Sequence, residues 1–287
     1  MKIGVVFPQI EMPADPGAIK TYAQTAEGLG FDYLLAYDHV LGANPERPDK
    51  LVGPYTCEDS FHEPFVLFGY LAALTERLEL VTGIIILPQR QTALVAKQTA
   101  QVDVLSNGRL RLGFGVGWNH VEYEALNQNF KTRGKRYDEQ IPLLRELWTN
   151  PLVTFKGEYH TISDAGLNPM PVQQPIPIWF GGRADAALRR AARLGDGWMP
   201  AFMPAEQATS YVDKLQGFLA EAGKSLDDFG IDPWITIASY DSPDDWAKQA
   251  EAWKALGATH IAINTMNAGF SSVDEHLAAI QQFKEIV

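Results

Sequence analysis

Eight times along this sequence, a short run of β-branched and aromatic residues gives way to a longer stretch with helical spacing. The strand-like runs are KIGVVFP (Lys2–Pro8), FDYLLAYD (Phe31–Asp38), LELVTGIIILP (Leu78–Pro88), RLRLGFGVG (Arg109–Gly117), PIPIWFGG (Pro175–Gly182), GWMPA (Gly197–Ala201), PWITIAS (Pro233–Ser239) and HIAIN (His260–Asn264). The helical stretches after them cover residues 17–29, 63–74, 92–105, 131–148, 184–194, 204–222, 243–256 and 273–286. Several strands are almost wholly apolar, as expected when both faces of a parallel sheet are covered. Eight βα units in 287 residues predict an α/β fold of the TIM (β/α)8 type. A doubly wound open sheet is the alternative, and the regularity of the eight units disfavours it. No break in composition marks a linker, so the reading is one domain over residues 1–287. Extra segments fall after strands 2 and 4 and before strand 5. The last contains LVTFKGEYHTI (Leu152–Ile162), which reads as a hairpin about Lys156-Gly157.

Composition removes whole classes of function. The net charge of −11 argues against nucleic acid, where affinity rests on neutralising phosphates. No apolar run is long enough to span a membrane, and the N-terminus MKIGVVFPQ reads as a first strand rather than a signal peptide. A single cysteine, Cys57, excludes an internal disulfide and points to the cytoplasm.

In a barrel of this type the chemistry sits at the C-terminal ends of the strands. That rule selects Phe7, Asp38-His39, Thr82-Gly83-Ile84, Gly115 to Asn119, Gly181-Gly182-Arg183, Trp198-Met199 and Asn264. The set has no pair of well-placed carboxylates for glycoside hydrolysis. It has no His-x-His or His/Asp cluster for a metal, and no G-x-S-x-G nucleophile elbow. What remains is a glycine-lined pocket with aromatic walls, suited to a planar ring system.

The run GFGVGWN (Gly113–Asn119) does not have the G-x-G-x-x-G spacing of a dinucleotide fingerprint. Its glycines read either as a bulge that packs Trp118 or as bare backbone against which a cofactor lies. In WFGGRADAALRRAARLGDGW (Trp179–Trp198), a strand enters Gly181-Gly182 and a helix starts near Ala184. Free N–H groups, the positive end of the helix dipole and Arg183 make this a phosphate site in form. His39 is the candidate for proton transfer near neutral pH.

Taken together, LGFGVGWNHVEYEAL with RGKRYDEQI downstream, IPIWFGGRADAALRRAARLGDGWMP, and VTGIIILPQRQTALVAKQTAQVDVLSNGRLRLG resemble the bacterial luciferase-like monooxygenase superfamily. Within it they are most similar to the branch that uses the deazaflavin F420. The resemblance runs in order through nearly the whole chain. It implies a TIM barrel, a homodimer, and a tricyclic deazaflavin or flavin at the barrel mouth. It also implies a strand-3 bulge through a non-prolyl cis peptide, which corresponds here to Gly83-Ile84. The residues expected around the cofactor are Asp38, His39, Thr82, Gly83, Ile84, Gly115, Val116, Gly117, Trp118, Asn119, Gly181, Gly182 and Arg183. Phe7, Trp118, Trp198 and Met199 are expected to form the substrate pocket. Some relatives carry an acid directly after the last glycine of strand 4, where this chain has Trp118, so His39 is left as the proton-handling group.

The function implied is hydride transfer between F420 and a small organic substrate. The rivals are an FMN-dependent monooxygenase served by a partner reductase and using O2, and a barrel that binds a flavin-like molecule without turnover.

Overall fold

The computed structural model describes residues 1–287. The chain runs β1 (Lys2–Val6), α1 (Pro16–Gly28), β2 (Tyr33–Ala36), α2 (Pro64–Ala72), β3 (Glu79–Ile86), α3 (Thr92–Leu105), β4 (Leu110–Gly115), α4 (His120–Ala125) and α5 (Arg133–Thr149). It continues with β5 (Val153–Lys156), β6 (Thr161–Ala165), β7 (Ile178–Gly181), α6 (Asp185–Leu194), β8 (Gly197–Met199), α7 (Ala205–Glu221), β9 (Gly230–Ile231), β10 (Trp234–Thr236), α8 (Pro243–Ala255), β11 (His260–Asn264) and α9 (Val273–Ile286). Nine strands form one parallel sheet in the order β10-β11-β1-β2-β3-β4-β7-β8-β9, and β5 and β6 pair separately as an antiparallel hairpin.

The two end strands of that order, β9 and β10, are consecutive in the chain and separated only by Asp232 and Pro233. The sequence reads 233–239 as one strand; instead only Trp234–Thr236 pairs and Ile237–Ser239 is a 3-10 turn, while Gly230–Ile231, ahead of the expected start, forms a further short strand. Pro233 has no N–H to give a ladder, so the pairing breaks there. Residues before it bond to β8, with Asp232 N donating to Trp198 O at 2.9 Å, and the Pro233 carbonyl accepts from Ala262 N of β11 at 3.0 Å. The sheet thus curls until its ends meet in one interrupted stretch.

Successive strand residues face opposite sides. On β1 and β2, Val5, Phe7, Leu34 and Ala36 pack outward into the large core beneath the helices. Val6, Tyr33, Leu35 and Tyr37 pack inward with Val81, Met199 and Trp234. On β4, Leu110, Leu112 and Phe114 belong to the helix-side core. The alternate positions Arg111, Gly113 and Gly115 therefore face inward. Inside, Arg111 Nη1 bonds Asp232 Oδ2 at 2.8 Å and its Nε bonds Glu79 Oε2 at 3.1 Å, with the guanidinium over the Tyr33 and Trp179 rings.

Residues 37–63, between β2 and α2, contain no helix or strand. They cross toward β4: Gly53 lies so close to the Trp118 ring that a Cβ there would overlap it. α1 begins as the Asp15-Pro16 pair predicts, with the Asp15 carboxylate accepting from Ala18 N and Pro16 in the first turn. No helix is long and apolar enough to cross a membrane.

Candidate active site

A cavity of about 420 Å³ opens at the C-terminal ends of the strands. Its lining comes from Tyr37, Asp38 and His39 after β2, from Gly83, Ile84 and Ile86 on β3, and from Gly115 to Trp118 at the end of β4. Gly181 to Ala184 and Ala187 contribute from the β7–α6 turn, Met199, Ala201 and Phe202 from the end of β8, Trp234 from β10, and Pro54 and Tyr55 from the long crossing segment. Of the residues proposed from sequence, Asp38, His39, Gly83, Ile84, Gly115, Val116, Gly117, Trp118, Gly181, Gly182, Arg183 and Met199 share this one cavity.

Four of the residues expected around the cofactor or substrate do not line it, and neither does Asn264. Phe7 is fully buried on the helix side, edge-on to Tyr22 and His62. Trp198 is buried on the same side and donates its Nε1 to Gly182 O at 2.8 Å. Alternation is the reason: Met199 faces the cavity, so its strand neighbour Trp198 cannot. Thr82 is consumed by the backbone. Its hydroxyl donates to Gly113 O at 2.9 Å and accepts from Gly113 N at 2.8 Å, where the β3–β4 register shifts between Thr82 and Ile85. Asn119 caps α4, its Oδ1 accepting from Val121 N and Glu122 N, while its Nδ2 donates to Leu41 O.

The glycines have a different explanation from bare backbone alone. Gly83-Ile84 is a cis peptide, and Ile84 lies over the β4 and β7 glycines. A Cβ on Gly115 would overlap Ile84 Cδ1, and one on Gly181 would sit 3.1 Å from Ile84 Cγ2. A Cβ on Gly117 would sit 2.7 Å from Ile86 Cγ2, and Gly117 itself has φ +65, a region that side chains disfavour. Beyond Arg111, the inner face of β4 is therefore bare at Gly113 and Gly115, which admits the Ile84 side chain of β3. Together they make a smooth apolar floor.

Two buried carboxylates stand at this end of the cavity, Asp38 in its wall and Glu122 behind it. Asp38 is buried and accepts from Arg90 Nη2 at 2.8 Å and from Ile86 N at 3.3 Å, while Arg90 Nη1 also donates to Glu63 at 2.9 Å. Burial raises the Asp38 carboxyl above its ordinary value, against the opposing pull of Arg90. Glu122, on the first turn of α4, is 1% exposed. Its Oε1 accepts from Val40 N at 2.6 Å and Leu41 N at 3.1 Å, and its Oε2 from Gln89 Nε2 at 3.2 Å. Both of its oxygens lie 3.3 Å from His39 Nδ1. Burial alone would raise this carboxyl, but the His39 contact, the Leu41 amide and Gln89 together hold it below its ordinary value, so Glu122 is an anion at neutral pH.

His39 packs among Phe61, Tyr55 and Trp118, with ring centroids at 4.8, 5.4 and 5.8 Å. With Nδ1 given to Glu122, Nε2 is the ring nitrogen without a protein partner. The hydrogen-bond pattern assigns the Nδ1 proton to the Glu122 contact and leaves Nε2 turned away from any protein partner. Sequence reasoning missed Glu122 and Arg90. The signal for the former was present: Asn119 followed three residues later by Glu122 has the spacing of a helix start, which puts an acid at the barrel mouth.

At the far rim, α6 begins at Asp185 with no side-chain cap, and Arg183 is exposed without a salt bridge. The Asp185 carboxylate, which would oppose an anion there, is held by Lys214 Nζ at 2.9 Å. No group of three or more His, Cys, Asp or Glu side chains is placed to hold a metal ion.

The sequence profile described as luciferase-like monooxygenase matches residues 1–284. An F420-dependent glucose-6-phosphate dehydrogenase of Amycolatopsis mediterranei (strain U-32) is 32% identical over 84% of this chain and 71% of its own length. An FMNH(2)-dependent dimethylsulfone monooxygenase of Pseudomonas fluorescens (strain Pf0-1) is 30% identical over 74% of this chain and 56% of its own. Among solved structures, an F420-dependent secondary alcohol dehydrogenase in complex with an F420-acetone adduct superposes with a TM-score of 0.79 over 100% of this chain and 98% of that one, at 20% identity.

Proposed function

Since the chain belongs to the luciferase-like monooxygenase family, we propose that it is an oxidoreductase moving a hydride between F420 and a small organic substrate. Counting β9 and β10 as one interrupted strand gives eight βα units, and we take residues 1–287 as a single (β/α)8 domain. The proposal also takes it to work in the cytoplasm as a homodimer.

The observation that carries the reading is the floor of the cavity. Ile84 rests on the glycines of β4 and β7 and presents a flat apolar bed at the barrel mouth. The cavity's about 420 Å³ falls in the range of about 300–1,000 Å³ usual for small-ligand sites. The residues present fit a tricyclic ring with a phosphate tail. Gly83, Ile84, Gly115 and Gly181 would support the ring. Gly182, Arg183 and the uncapped start of α6 would hold the phosphate. When bound, the deazaflavin supplies the hydride acceptor or donor.

This chain's own residues then do three things. His39 Nε2 takes a proton from the substrate oxygen as hydride leaves its carbon, or returns one in the reverse direction. Glu122 fixes the imidazole and stabilises its charged form. Tyr55, Phe61 and Trp118 keep water from the histidine.

A second reading replaces F420 with FMN, reduced by a partner enzyme and reacting with O2. The 30% identity to the dimethylsulfone monooxygenase favours it. A binding barrel without turnover is disfavoured by the His39–Glu122 pair, whose arrangement suits proton transfer. Two assays on one preparation separate the readings: oxidation of reduced F420 by a panel of carbonyl compounds without oxygen, and substrate-dependent O2 uptake with enzymatically supplied FMNH2. Turnover only in the first supports the proposal; turnover only in the second replaces it with the FMN reading.

A further inference from the structure

The two oxygens of Glu122 are used differently. Oε1 already accepts from the Val40 and Leu41 amides. Oε2 accepts from Gln89 Nε2 at 3.2 Å and lies 3.3 Å from His39 Nδ1. A carboxylate oxygen has two lone pairs. The loop therefore fills Oε1, and the second pair of Oε2 is the one left for the imidazole. Gln89 occupies the first pair of Oε2 and so fixes where the second points. Gln89 is buried, and its own Oε1 has no protein partner. Turning the amide over would set that oxygen against Glu122 Oε2, so the amide has one usable orientation.

Gln89 is held in place from outside the cavity. It ends the 3-10 turn Leu87–Gln89 that follows β3. Gln140 of α5, fully buried, spans that turn: its Nε2 donates to Leu87 O at 3.2 Å, Arg90 O at 3.3 Å and Thr92 Oγ1 at 2.9 Å. The turn then presents neighbouring side chains to two acids, Arg90 to Asp38 and Gln89 to Glu122. Their difference in charge matters. A guanidinium cancels the carboxylate it meets, whereas an amide bonds a carboxylate and leaves its charge in place. Asp38 is thereby neutralised, and the charge of Glu122 remains for His39. We propose that Gln89 is a positioning residue: it aims Glu122 Oε2 at His39 Nδ1, which keeps the ring proton on Nδ1 and leaves Nε2 open for proton transfer. This rests on the reading of His39 as the proton-handling group, and Gln89 itself does not line the cavity.

The test uses the full-length, cofactor-free protein, uniformly labelled with 15N. Long-range 1H–15N NMR at about pH 9, well above the ordinary histidine value of about 6.5, reads which ring nitrogen carries the proton. His39→Gln assigns the His39 signals among the six histidines. The wild type should hold the Nδ1–H form, opposite to the Nε2–H form that a free histidine side chain favours. Gln89→Met, similar in shape but without a donor, should shift the ratio toward Nε2–H by about threefold or more. Gln89→Asn, one methylene short, should shift it in the same direction and serves if the Met variant does not fold. The Val40 and Leu41 amide signals, which report the other oxygen, should move less than they do in Glu122→Gln. A merely structural glutamine would lower the melting temperature and leave the tautomer ratio alone. Three results overturn the proposal: a wild type in the Nε2–H form, an unchanged ratio in the folded variants, or Val40 and Leu41 shifts as large as in Glu122→Gln. No cofactor is present, so a failure here leaves the F420 reading standing, and a failure of that reading leaves this measurement readable.

Discussion

Glu122 stands behind His39 with both carboxylate oxygens 3.3 Å from Nδ1. The same carboxylate gathers the amides of Val40 and Leu41, so one buried anion fixes both the imidazole and the loop that carries it. His39→Ala should lower turnover by about 10²–10⁴ and leave cofactor affinity within a few-fold. Glu122→Gln should also reduce kcat and shift the pH–rate profile, because the imidazole loses its counter-charge. Unchanged kinetics in His39→Ala would return the histidine to a structural role.

Gly117→Val tests the floor. Its φ of +65 and the nearness of Ile86 Cγ2, 2.7 Å from a built Cβ, make the change costly before any ligand binds. Urea unfolding of the cofactor-free protein should show a loss of at least about 2 kcal/mol. Gly115→Ala should behave differently, since it meets only the movable end of Ile84. It should keep most of its stability yet weaken the cofactor about tenfold or more, by lifting Ile84 into the ring's place. Equal stability losses in the two variants would contradict this.

Arg90→Met removes the guanidinium that neutralises Asp38 and Glu63. The Asp38 carboxyl is buried and already raised by that burial, so an uncompensated charge should cost about 3 kcal/mol at pH 7. A carboxyl whose folded pKa exceeds its unfolded one binds more protons when folded. The deficit should therefore narrow as pH falls toward 5, and chemical denaturation at the two pH values reads it. A deficit that widens in acid would count against the assignment.

His260 provides a pH signature unrelated to catalysis. Burial, with Arg111 nearby, pushes its imidazole down to about 2. Below its unfolded value of about 6.5, the unfolded chain binds a proton that the folded chain refuses. Its contribution is complete above that pH and is lost progressively as pH falls, with a ceiling of about 1.4 kcal/mol per pH unit. His260→Phe should flatten the stability–pH curve between pH 6.5 and 5; an unchanged slope would show that His260 titrates freely in the folded protein.

Periodicity carried most of the architecture. Helices α3 and α9 occupy the stretches their spacing marks, 92–105 and 273–286, because apolar residues and end signals agree there. The seventh strand, read over 233–239, is shorter: it pairs only over Trp234–Thr236, turns at Ile237–Ser239, and is preceded across Pro233 by a two-residue strand, Gly230–Ile231, that the pattern did not mark. The mouth residues were legible as a set through the rule that strand ends carry the site. Facing was harder: Trp198 and Met199 are neighbours, and only the inward register, fixed by tertiary pairing, says which one meets the cavity. Glu122 and Arg90 reach the site from segments 83 and 52 residues away from His39 and Asp38, contacts that no local pattern encodes. The β4 glycines were visible, but their partner Ile84 became apparent only with β3 beside them.

Titration of the purified protein with F420, FMN and FAD, followed by fluorescence and absorbance, tests the central claim most directly. The account predicts that F420 binds with a Kd of about 1 μM or tighter, roughly −8 kcal/mol, and at least about tenfold more tightly than FMN or FAD. Tight, saturable FMN binding with no response to F420 would contradict it.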